Sequence, residues 1–377
     1  MNTIFKNKTG IWVIASENSW IEGKAERQLQ KTSELDGVEY CVGLPDIHPG
    51  RGNPVGAAYL IRDIIYPYLI GNDVGCGISL FRTGIRKNKI KIDKWIRKLG
   101  DLNEPYGAGI EHWMDQRELK KHSINTAIGT IGAGNHFAEL QTIKKVFNEE
   151  LFSNVGLDKN LLTLVVHSGS RGIGETLLRS HTDIYGAGGL RADSQKGKNY
   201  LAQHDQALKW ATCNRIAIAE KFVSRIGTDC QLIIDTCHNK ISYVIYDNES
   251  FWLHRKGAVV SDSGPVLIPG SRGSLSYLVR PKGAQRYNLW SLPHGAGRKW
   301  NRTSCKGRLK ARYNISSLKR TGFGGHVICD DRELLYEEAP QAYKNIDQVI
   351  QDLLDENLVE VIATFKPLIT YKKGKNK

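Results

Sequence analysis

The stretch that decides the fold lies near the middle of the chain and reads LLTLVVHSGSRG over residues 161–172. Its apolar first half, Leu161–Val166, is typical of a strand that is buried within a sheet. Its second half is polar and rich in glycine, as expected for a loop that follows such a strand. Because polar loops at the ends of buried strands often carry the chemistry of α/β proteins, this junction predicts a sheet and a candidate site together.

The same arrangement occurs twice more along the chain. The strand-like run Ile64–Ile70 leads into GNDVGCG (residues 71–77), after which Ile78–Arg82 alternates in the manner of a strand. The run Leu232–Ile234 ends in DTCHN (residues 235–239). The shared placement of these loops predicts that they contribute to one site.

Fewer segments have helical patterns. A long helix is predicted over Tyr200–Ile226, where Gly227 ends it, and a second contains the apolar stripe of residues 346–354. Asn345 is the predicted N-cap of the second helix, with Gln348 at the capping-box position. The combined pattern predicts a mixed α/β fold (α+β) in one large domain spanning residues 1–377.

Familiar nucleotide-binding motifs are absent from the sequence. The glycine-rich segment GSRGIG (residues 169–174) has neither the glycine order of a Rossmann fold nor the lysine of a P-loop. Its backbone N–H groups and Arg171 could still bind a phosphate. The fold is therefore not expected to be a Rossmann sheet.

Composition excludes several classes of protein. Hydrophobic residues make up 40% of the 377 residues and aromatic residues 8%, which excludes an intrinsically disordered chain. Every apolar run is shorter than the roughly 18 residues that span a bilayer, and residues 1–12 lack the apolar core of a secretory signal. Seven thinly spread cysteines do not indicate a disulfide scaffold, so a cytoplasmic location without a membrane is expected.

The formal net charge of +14 is concentrated in one segment, residues 280–320. This basic segment contains twelve Lys or Arg residues and no Asp or Glu, and the rest of the chain has 41 basic against 39 acidic residues. It also holds Tyr287, Trp290, Trp300 and Tyr313. Cations mixed with aromatic rings are typical of surfaces that bind nucleic acid, although a solvated basic face is the alternative.

Five side chains form a candidate metal-ligand set. Asp73 and Cys76 lie three apart in a glycine-rich turn, and His136 follows the loop GTIGAGN (residues 129–135). His167 and His238 each close an apolar strand. Each residue alone is more often structural, but together they suit one or two divalent cations, with a thiolate able to bridge a pair. On chemistry alone, zinc is expected first and manganese or iron next.

His294 is a candidate nucleophile. It lies in PHGAGR (residues 293–298), inside the basic segment, and its small neighbours leave room for a bulky electrophile. An imidazole nitrogen can attack phosphorus to give a covalent phosphoramidate, and Arg298 could then stabilise charge on the phosphoryl oxygens. A plain glycine turn with an exposed histidine is the alternative.

Taken together, these motifs resemble those of the RtcB family of RNA ligases, over about residues 44–374 and in the family's order. The matching segments are LPDIHPG (44–50), DVGCG (73–77), GAGNHF (132–137), HSGSRG (167–172), HN (238–239), HRKGA (254–258), PGS (269–271) and HGAGR (294–298). The resemblance implies the mixed α/β fold peculiar to that family, with central mixed sheets and a deep pocket for metal and GTP. It also implies two Mn²⁺ ions in place of the zinc expected from chemistry alone.

The resemblance assigns roles to individual residues. Asp73, Cys76 and His136 would hold one Mn²⁺, and Cys76, His167 and His238 the other. His294 would be guanylylated by GTP. The remaining implied GTP contacts are Asn135, Asn239, Ser271, Ala296 and Gly297 along the nucleotide, and Glu139, Ser276, Tyr343 and a C-terminal lysine at the guanine. Lys372 is preferred over Lys373 for that lysine by its spacing from Pro367.

The activity implied by the resemblance is the joining of RNA ends. His294 would take GMP from GTP, pass it to a 3′-phosphate end, and the 5′-hydroxyl of a second RNA would then displace GMP. A 2′,3′-cyclic phosphate would first be opened. The basic segment would hold the RNA, and an activating protein partner is possible.

Three residues depart from the usual family pattern. Arg272 stands where the family commonly has methionine, Asn301 where serine is usual, and Cys237 where a second histidine is common. None of them is an implied metal ligand or the nucleophile. Two alternatives to the ligase remain open on the sequence: a metal-dependent phosphodiesterase that processes RNA ends, and a non-catalytic RNA-binding protein.

Overall fold

Four sheets organise the computed structural model, which describes residues 10–373 except 101, 103, 108 and 120–126. Within this part of the chain the strands are, in order, β1 (Ile11–Val13), β2 (Val38–His48), β3 (Val55–Ile61), β4 (Ile64–Ile65), β5 (Gly77–Arg86), β6 (Phe137–Val146), β7 (Leu161–Ser168), β8 (Leu190–Arg191), β9 (Cys230–Cys237), β10 (Asn239–Tyr246), β11 (Glu249–Lys256), β12 (Ala258–Val260), β13 (Val266–Ile268), β14 (Ser276–Pro281), β15 (Ser291–Pro293), β16 (His326–Cys329) and β17 (Val359–Lys373).

Helices lie between and around these strands. Over the described residues they are α1 (Gly23–Ser33), α2 (Pro67–Ile70), α3 (Ile92–Leu99), α4 (Ile110–Asp115), α5 (Glu149–Asn154), α6 (Gly172–Tyr185), α7 (Gln195–Ile226), α8 (Arg302–Leu309), α9 (Ile315–Leu318), α10 (Arg332–Glu337) and α11 (Ile346–Asp355). Short 3₁₀ turns cover Lys87–Lys89 and Pro340–Ala342. None of the helices in the described ranges is long and apolar enough to cross a membrane.

The two large sheets are both mixed, as the sequence predicts, and neither has Rossmann topology. One has five strands in the order β1-β2-β3-β11-β10, with only β1 and β2 parallel. The other has the order β13-β14-β17-β6-β7-β5-β9, and β16 adds to it as a parallel neighbour of β17. A large apolar core joins the five-stranded sheet to β12–β15 and α11, and a second lies between the other sheet and α3 and α7.

Most predicted elements are confirmed, with two corrections. The predicted strands over Leu161–Val166 and Leu232–Ile234 are β7 and β9, and the long helix ends at Ile226 as predicted but begins earlier, at Gln195. The run Ile64–Ile70 is wrong as a single strand. Only its first two residues pair, because Pro67 fixes a helical φ and starts α2.

The second correction concerns the capping of α11. The side chain of Asn345 accepts a hydrogen bond from the Asp347 backbone N–H, as an N-cap does. Gln348 does not complete a capping box, since its amide donates to Ser16 Oγ at 3.1 Å and to Asp352 Oδ1 at 2.8 Å. Gln348 instead connects α11 to Ser16, in the segment that follows β1.

Helix α7 holds three functional loops in place through two adjacent buried residues. Arg215 pairs with Asp235 on β9 and donates from Nη1 to the carbonyls of Gly75 at 2.8 Å and Ser168 at 3.0 Å. Asn214 accepts from the N–H of Gly129 at 2.8 Å and donates to Ser168 Oγ at 3.1 Å. These bonds fix the segments that precede Cys76 and His136 and the one that follows His167. Positioning of the predicted metal ligands therefore depends on a helix that carries none of them.

We expect Arg215→Lys to destabilise the fold by about 3 kcal/mol and to weaken Mn²⁺ binding, because lysine keeps the charge but loses the fork that bonds Asp235 and two carbonyls. Urea unfolding and calorimetric Mn²⁺ titration measure the two effects. Arg225→Lys is the matched control, since Arg225 lies on the same helix with its side chain 45% exposed. Equal losses of stability and of Mn²⁺ affinity in the two variants would contradict this role of Arg215.

Candidate active site

The register of four neighbouring strands brings the predicted metal ligands to one edge of the larger sheet. In β5 and β7, Gly77 lies opposite Ser168, and in β6 and β7, Phe137 lies opposite His167. Gly77 also pairs with Cys237 of β9. Cys76, His136 and His238 each stand next to one of these paired positions, so antiparallel pairing alone places them beside His167.

Distances within the cluster are short. Cys76 Sγ lies 3.2 Å from His167 Nε2 and 3.4 Å from His136 Nε2, and these three ligand atoms are all within 4.8 Å of one another. Asp73 Oδ2 is 2.8 Å from His136 Nε2. The His238 ring packs edge-on against the His167 ring, with centroids 5.1 Å apart. All five predicted side chains therefore converge.

The donor set fits a divalent metal. His136 Nδ1 bonds the carbonyl of Ile131 at 3.1 Å, which leaves Nε2 facing the cluster, as in metal-binding histidines with a second bond that orients the ring. The buried Nδ1 of His238 has no hydrogen-bond partner among the described residues. Burial lowers the pKa of His167 and of His238 well below the ordinary value, which favours the neutral, ligating imidazole. A carboxylate, a thiol and imidazoles together suit Mn²⁺, Fe²⁺ or Zn²⁺.

His294 lies directly after β15 and is held by Asp46 of β2. Asp46 Oδ2 is 2.6 Å from His294 Nδ1 and also accepts the His294 backbone N–H at 3.2 Å. The imidazole therefore donates from Nδ1 and keeps its lone pair on Nε2. The His294 ring lies 5.0 Å from the ring of His238, which places this nitrogen next to the metal-ligand cluster.

The Asp46 segment is itself fixed on both sides. Lys344 Nζ donates to the carbonyls of Pro45 at 3.0 Å and Ile47 at 2.6 Å. Gly297, at φ +71°, packs so closely that a Cβ would lie 2.2 Å from the Asp46 carbonyl oxygen. Only glycine fits at this position, which explains the second glycine of the HGAG motif. The sequence motif LPDIHPG pointed to this strand, but nothing in it revealed that its aspartate contacts residue 294.

Two cavities meet at His294. The first is lined by the predicted GTP contacts Asn135, Glu139, Ser271, Ala296, Gly297, Tyr343 and Lys372, together with Arg298. The second is lined by Asp73, Cys76, His136, His238, Asn239 and Arg171. Ser276 lies behind the first cavity, where its hydroxyl and the Glu139 carboxylate both bond the Gln141 amide, at 2.9 and 2.7 Å. The predicted residues therefore surround the two cavities, except Ser276, which is linked to the cavity residue Glu139 through Gln141.

Glu338 is a central residue of the first cavity that the sequence analysis missed. Its buried carboxylate lies 3.1 Å from Arg298 Nη1 and 3.4 Å from Lys372 Nζ, and it also accepts the Tyr343 hydroxyl. Burial raises the pKa of Glu338, but Lys372, Arg298 and Arg302 outweigh burial and lower it to about 2. The glutamate follows α10 in an unremarkable sequence context, so no sequence signal marked it.

The Arg298 guanidinium donates its hydrogen bonds to acceptors within the protein. Besides Glu338, it donates to the carbonyls of Trp300 at 3.0 Å and Glu337 at 2.8 Å. In this arrangement the guanidinium fixes the wall of the cavity, and its predicted contact with a phosphoryl group stays a prediction. Lys372 is buried beside it on β17, whereas the side chain of Lys373 lies outside the described residues.

The structure gives a physical reason for one departure from the family pattern. Asn301 is the N-cap of α8, and its side chain accepts the N–H of Ser304 at 2.9 Å. Serine and asparagine are both favoured N-caps, so the exchange preserves this function. Cys237 is at the end of β9, where its thiol donates to the Asn239 carbonyl at 3.5 Å.

Half of the twelve cations of the basic segment form ion pairs, and these lie along its whole length. They are Arg280, Arg286, Arg298, Arg302, Lys306 and Lys319. From residue 308 to 312, on and after α8, three cations have no ion pair among the described residues: Arg308, Lys310 and Arg312. The Arg308 guanidinium lies over the Trp300 ring, 5.1 Å from its centroid. Unneutralised charge is thus concentrated next to Arg302, which lines both cavities.

We expect Glu338→Gln to lower the free energy of unfolding by about 3 kcal/mol at pH 7, because it leaves several buried cations without their anion. A depressed carboxylate pKa stabilises the fold above its ordinary value of 4.5, and this contribution is lost as pH falls toward 2. Urea titrations at several pH values measure the difference from wild type. Glu337→Gln is the neighbouring control, and a pH-independent difference would argue against a charge effect.

Comparison with known proteins gives a consistent family. The family described as tRNA-splicing ligase RtcB matches over residues 28–123 and 108–373. The RNA-splicing ligase RtcB2 of Escherichia coli is 43% identical over 370 residues, which covers 97% of both chains. The tRNA-splicing ligases RtcB of Archaeoglobus fulgidus and Thermococcus kodakarensis are each 27% identical over 441 residues, covering 92% of this chain and 91% of theirs. With the cysteine–histidine cluster, the buried His294–Asp46 pair and this coverage, the chain belongs to the RtcB family.

Proposed function

We propose that this chain is an RNA ligase that depends on GTP and Mn²⁺. It joins a 3′-phosphate or 2′,3′-cyclic phosphate end of RNA to a 5′-hydroxyl end through a covalent His294–GMP intermediate. The observation that carries the proposal is the position of His294, oriented by Asp46 at the junction of two cavities. Membership of the RtcB family, and relatives named as RNA-splicing ligases, support the same reaction class.

The five clustered side chains are the proposed metal ligands. Asp73, Cys76 and His136 would hold one ion, and Cys76, His167 and His238 would hold the other. When bound, Mn²⁺ neutralises charge on phosphate oxygens and on the leaving group. Arg215 and Asn214 keep the ligand loops in register before and after metal binds.

In the first step the Nε2 lone pair of His294 attacks the α-phosphorus of GTP. A P–N bond forms, the bond to the bridging oxygen breaks, and pyrophosphate leaves with that electron pair. Asp46 accepts the Nδ1–H throughout, which fixes the tautomer with its lone pair on Nε2 and stabilises the positive charge that develops on the ring. The pair is buried, with Asp46 fully inaccessible and the His294 side chain 12% exposed, so water competes poorly for phosphorus.

Two displacements complete the cycle. An oxygen of the RNA 3′-phosphate attacks the GMP phosphorus, and the P–N electron pair returns to His294. The 5′-hydroxyl oxygen of the second RNA then attacks the activated 3′-phosphorus and releases its proton to solvent, while the bond from that phosphorus to the GMP oxygen breaks and GMP leaves with the electron pair. A cyclic end requires prior opening by water, which adds to the phosphorus as the bond to the 2′-oxygen breaks and that oxygen takes up a proton. Because the cavities share His294 and Arg302, nucleotide and RNA end reach the same nitrogen from different sides.

The nucleotide is proposed to occupy the first cavity. Asn135, Ala296 and Gly297 lie on the phosphate side, with Asn239 and Ser271 nearby. Glu139, Tyr343 and Lys372 receive the guanine, and Ser276 supports them from behind through Gln141. Burial raises the pKa of Glu139 to about 6, although Thr370 and Gln141 both donate to its carboxylate. An ionised Glu139 suits the N–H edge of guanine, which presents two donors.

RNA is proposed to lie along residues 308–312, the stretch of the basic segment whose cations have no ion pair among the described residues. Arg308, Lys310 and Arg312 provide phosphate contacts, and Trp300 provides a surface for stacking. The whole chain, residues 1–377, is proposed to act as one catalytic domain in the cytoplasm, with an activating protein partner as a further expectation of the family resemblance.

We expect wild-type protein with Mn²⁺ and α-labelled GTP to retain label after denaturation, as an acid-labile phosphoramidate. His294→Ala abolishes the label, and Asp46→Asn reduces its rate of formation by about 10²-fold or more, because the ring loses its orientation and charge partner. His326→Ala, outside both cavities, is the matched control. If wild type converts 2′,3′-cyclic ends without GTP and never forms the adduct, the phosphodiesterase is correct. RNA binding without turnover or adduct would identify a non-catalytic binding protein.

GTP affinity is expected to fall as pH drops through about 6, because protonated Glu139 no longer accepts from guanine. Equilibrium binding at saturating Mn²⁺ between about pH 5 and pH 8 measures this dependence. Glu139→Gln binds GTP more weakly at neutral pH and has a flatter pH profile. Glu333→Gln, on the surface of α10, is the control. A wild-type profile that stays flat through pH 6 would refute the role of Glu139.

A further inference from the structure

Arg272 is a buried cation without a role in the mechanism above. It lies in the turn between β13 and β14, is only 7% exposed, and borders the same cavity as His294. Its Nη2 donates to the carbonyl of Leu335 at 2.9 Å. Its Nη1 is buried and has no hydrogen-bond partner among the described residues.

An unpaired guanidinium nitrogen in this position is costly. Leaving a buried donor unsatisfied destabilises a protein by about 1–3 kcal/mol, and more when the group is charged. Glu338, the nearest carboxylate, is already engaged by Arg298, Lys372 and Tyr343. Because Arg272 forms the cavity wall, the missing acceptor is one that a ligand brings.

The backbone around Arg272 is rigid. The Ser271 N–H donates to Ser274 Oγ at 2.7 Å, and the Ser274 N–H donates back to the Ser271 carbonyl at 3.0 Å. Gly273 packs against Pro340, where a Cβ would lie 2.7 Å from the proline Cγ. The turn and the Leu335 bond therefore hold the guanidinium in place before any ligand binds, which reduces the entropy cost of using it.

The position of Arg272 identifies the part of the ligand that it faces. Its neighbours Glu338, Tyr343 and Lys372 line the first cavity and are absent from the lining of the metal-ligand cavity. Glu139 lies at this same end, since Thr370, two residues before Lys372 on β17, donates to its carboxylate. The proposed metal ligands Asp73, Cys76, His136 and His238 line the other cavity, so under the proposed function the base lies at the Arg272 end of the first cavity.

We propose that Arg272 reads the base of the nucleotide, with Nη1 donating to the N7 and O6 acceptors of guanine. This inference rests on the proposed function, because it assigns the base of GTP to this end of the cavity. Guanine offers two acceptors on this edge, O6 and N7, and Nη1 is the guanidinium nitrogen left to donate to them, because Nη2 already bonds the Leu335 carbonyl. Adenine presents an amino group in place of O6, so two donors would face each other in a dry site. Arg272 thus selects guanine where a methionine makes no such contact.

Nucleotide binding to variants of Arg272 tests the inference. Dissociation constants are measured with Mn²⁺ for GTP, ITP, 7-deaza-GTP and ATP, in a His294→Ala background that prevents the covalent step. We expect Arg272→Met to weaken GTP and ITP, which share N7 and O6, by about tenfold or more. ATP and 7-deaza-GTP already lack one acceptor and lose less, so guanine selectivity shrinks. Arg280→Met, an exposed arginine on β14, leaves all four constants unchanged.

Three results would overturn the inference. Unchanged GTP binding in Arg272→Met means that no contact exists, and equal loss for GTP and ATP means that the arginine contacts phosphate or only supports the fold. Full affinity in Arg272→Lys means that charge, not base geometry, matters. If Arg272→Met does not fold, Arg272→Lys provides the test, because we expect this variant to retain only part of the affinity for GTP.

A separate experiment distinguishes failure of this inference from failure of the proposed function. Wild-type protein is tested for the GMP adduct with α-labelled GTP. If the adduct forms and selectivity does not depend on Arg272, only this inference fails. If wild type neither binds GTP nor forms the adduct, the proposed function fails together with it.

Discussion

The structure depends on the register of four antiparallel strands, β6, β7, β5 and β9. Side chains that are far apart in sequence stand at the same edge only because these strands pair with Ser168 opposite Gly77 and His167 opposite Phe137. A slip of one residue would turn each ligand to the other face. The buried Arg215 prevents such a slip from the helix side, since one guanidinium bonds the carbonyls of two neighbouring loops and the carboxylate of β9.

A second constraint joins the five-stranded sheet to the small sheet formed by β12 and β15. Asp46 belongs to the five-stranded sheet, whereas His294 follows β15, yet the two make one of the shorter polar contacts of the site at 2.6 Å. Gly297 allows the backbones to approach, and Lys344 ties the carbonyls on both sides of the aspartate. His294 is thereby fixed beside His238. The proposed nucleophile and the proposed metal ligands come from different sheets and are aligned by packing between them.

Sequence patterns predicted the parts of this site that local rules determine. Apolar runs ending in polar loops identified β7 and β9, and the chemistry of Cys76 and the three histidines identified their cluster. Ile64–Ile70 was wrong as a strand because a proline within it fixes a helical turn. Asp46 and Glu338 escaped attention for a different reason. Each acts through a partner more than 30 residues away, and only the tertiary fold determines that distance.

The distribution of charge in the first cavity follows from the same logic. Two carboxylates, Glu139 and Glu338, line it with four cations, Arg272, Arg298, Arg302 and Lys372, and Glu338 makes close contacts with three of them. Arg302 is exposed, but the other three cations are largely buried, and such an excess of positive charge is unstable unless an anionic or acceptor-rich ligand completes it. The fold therefore tolerates at this cavity an electrostatic imbalance that it neutralises elsewhere, as at Arg215 and Asp235. An imbalance confined to a ligand-sized cavity is typical of a binding site, and it favours an anionic ligand, such as the proposed nucleotide, as the group that balances the charge.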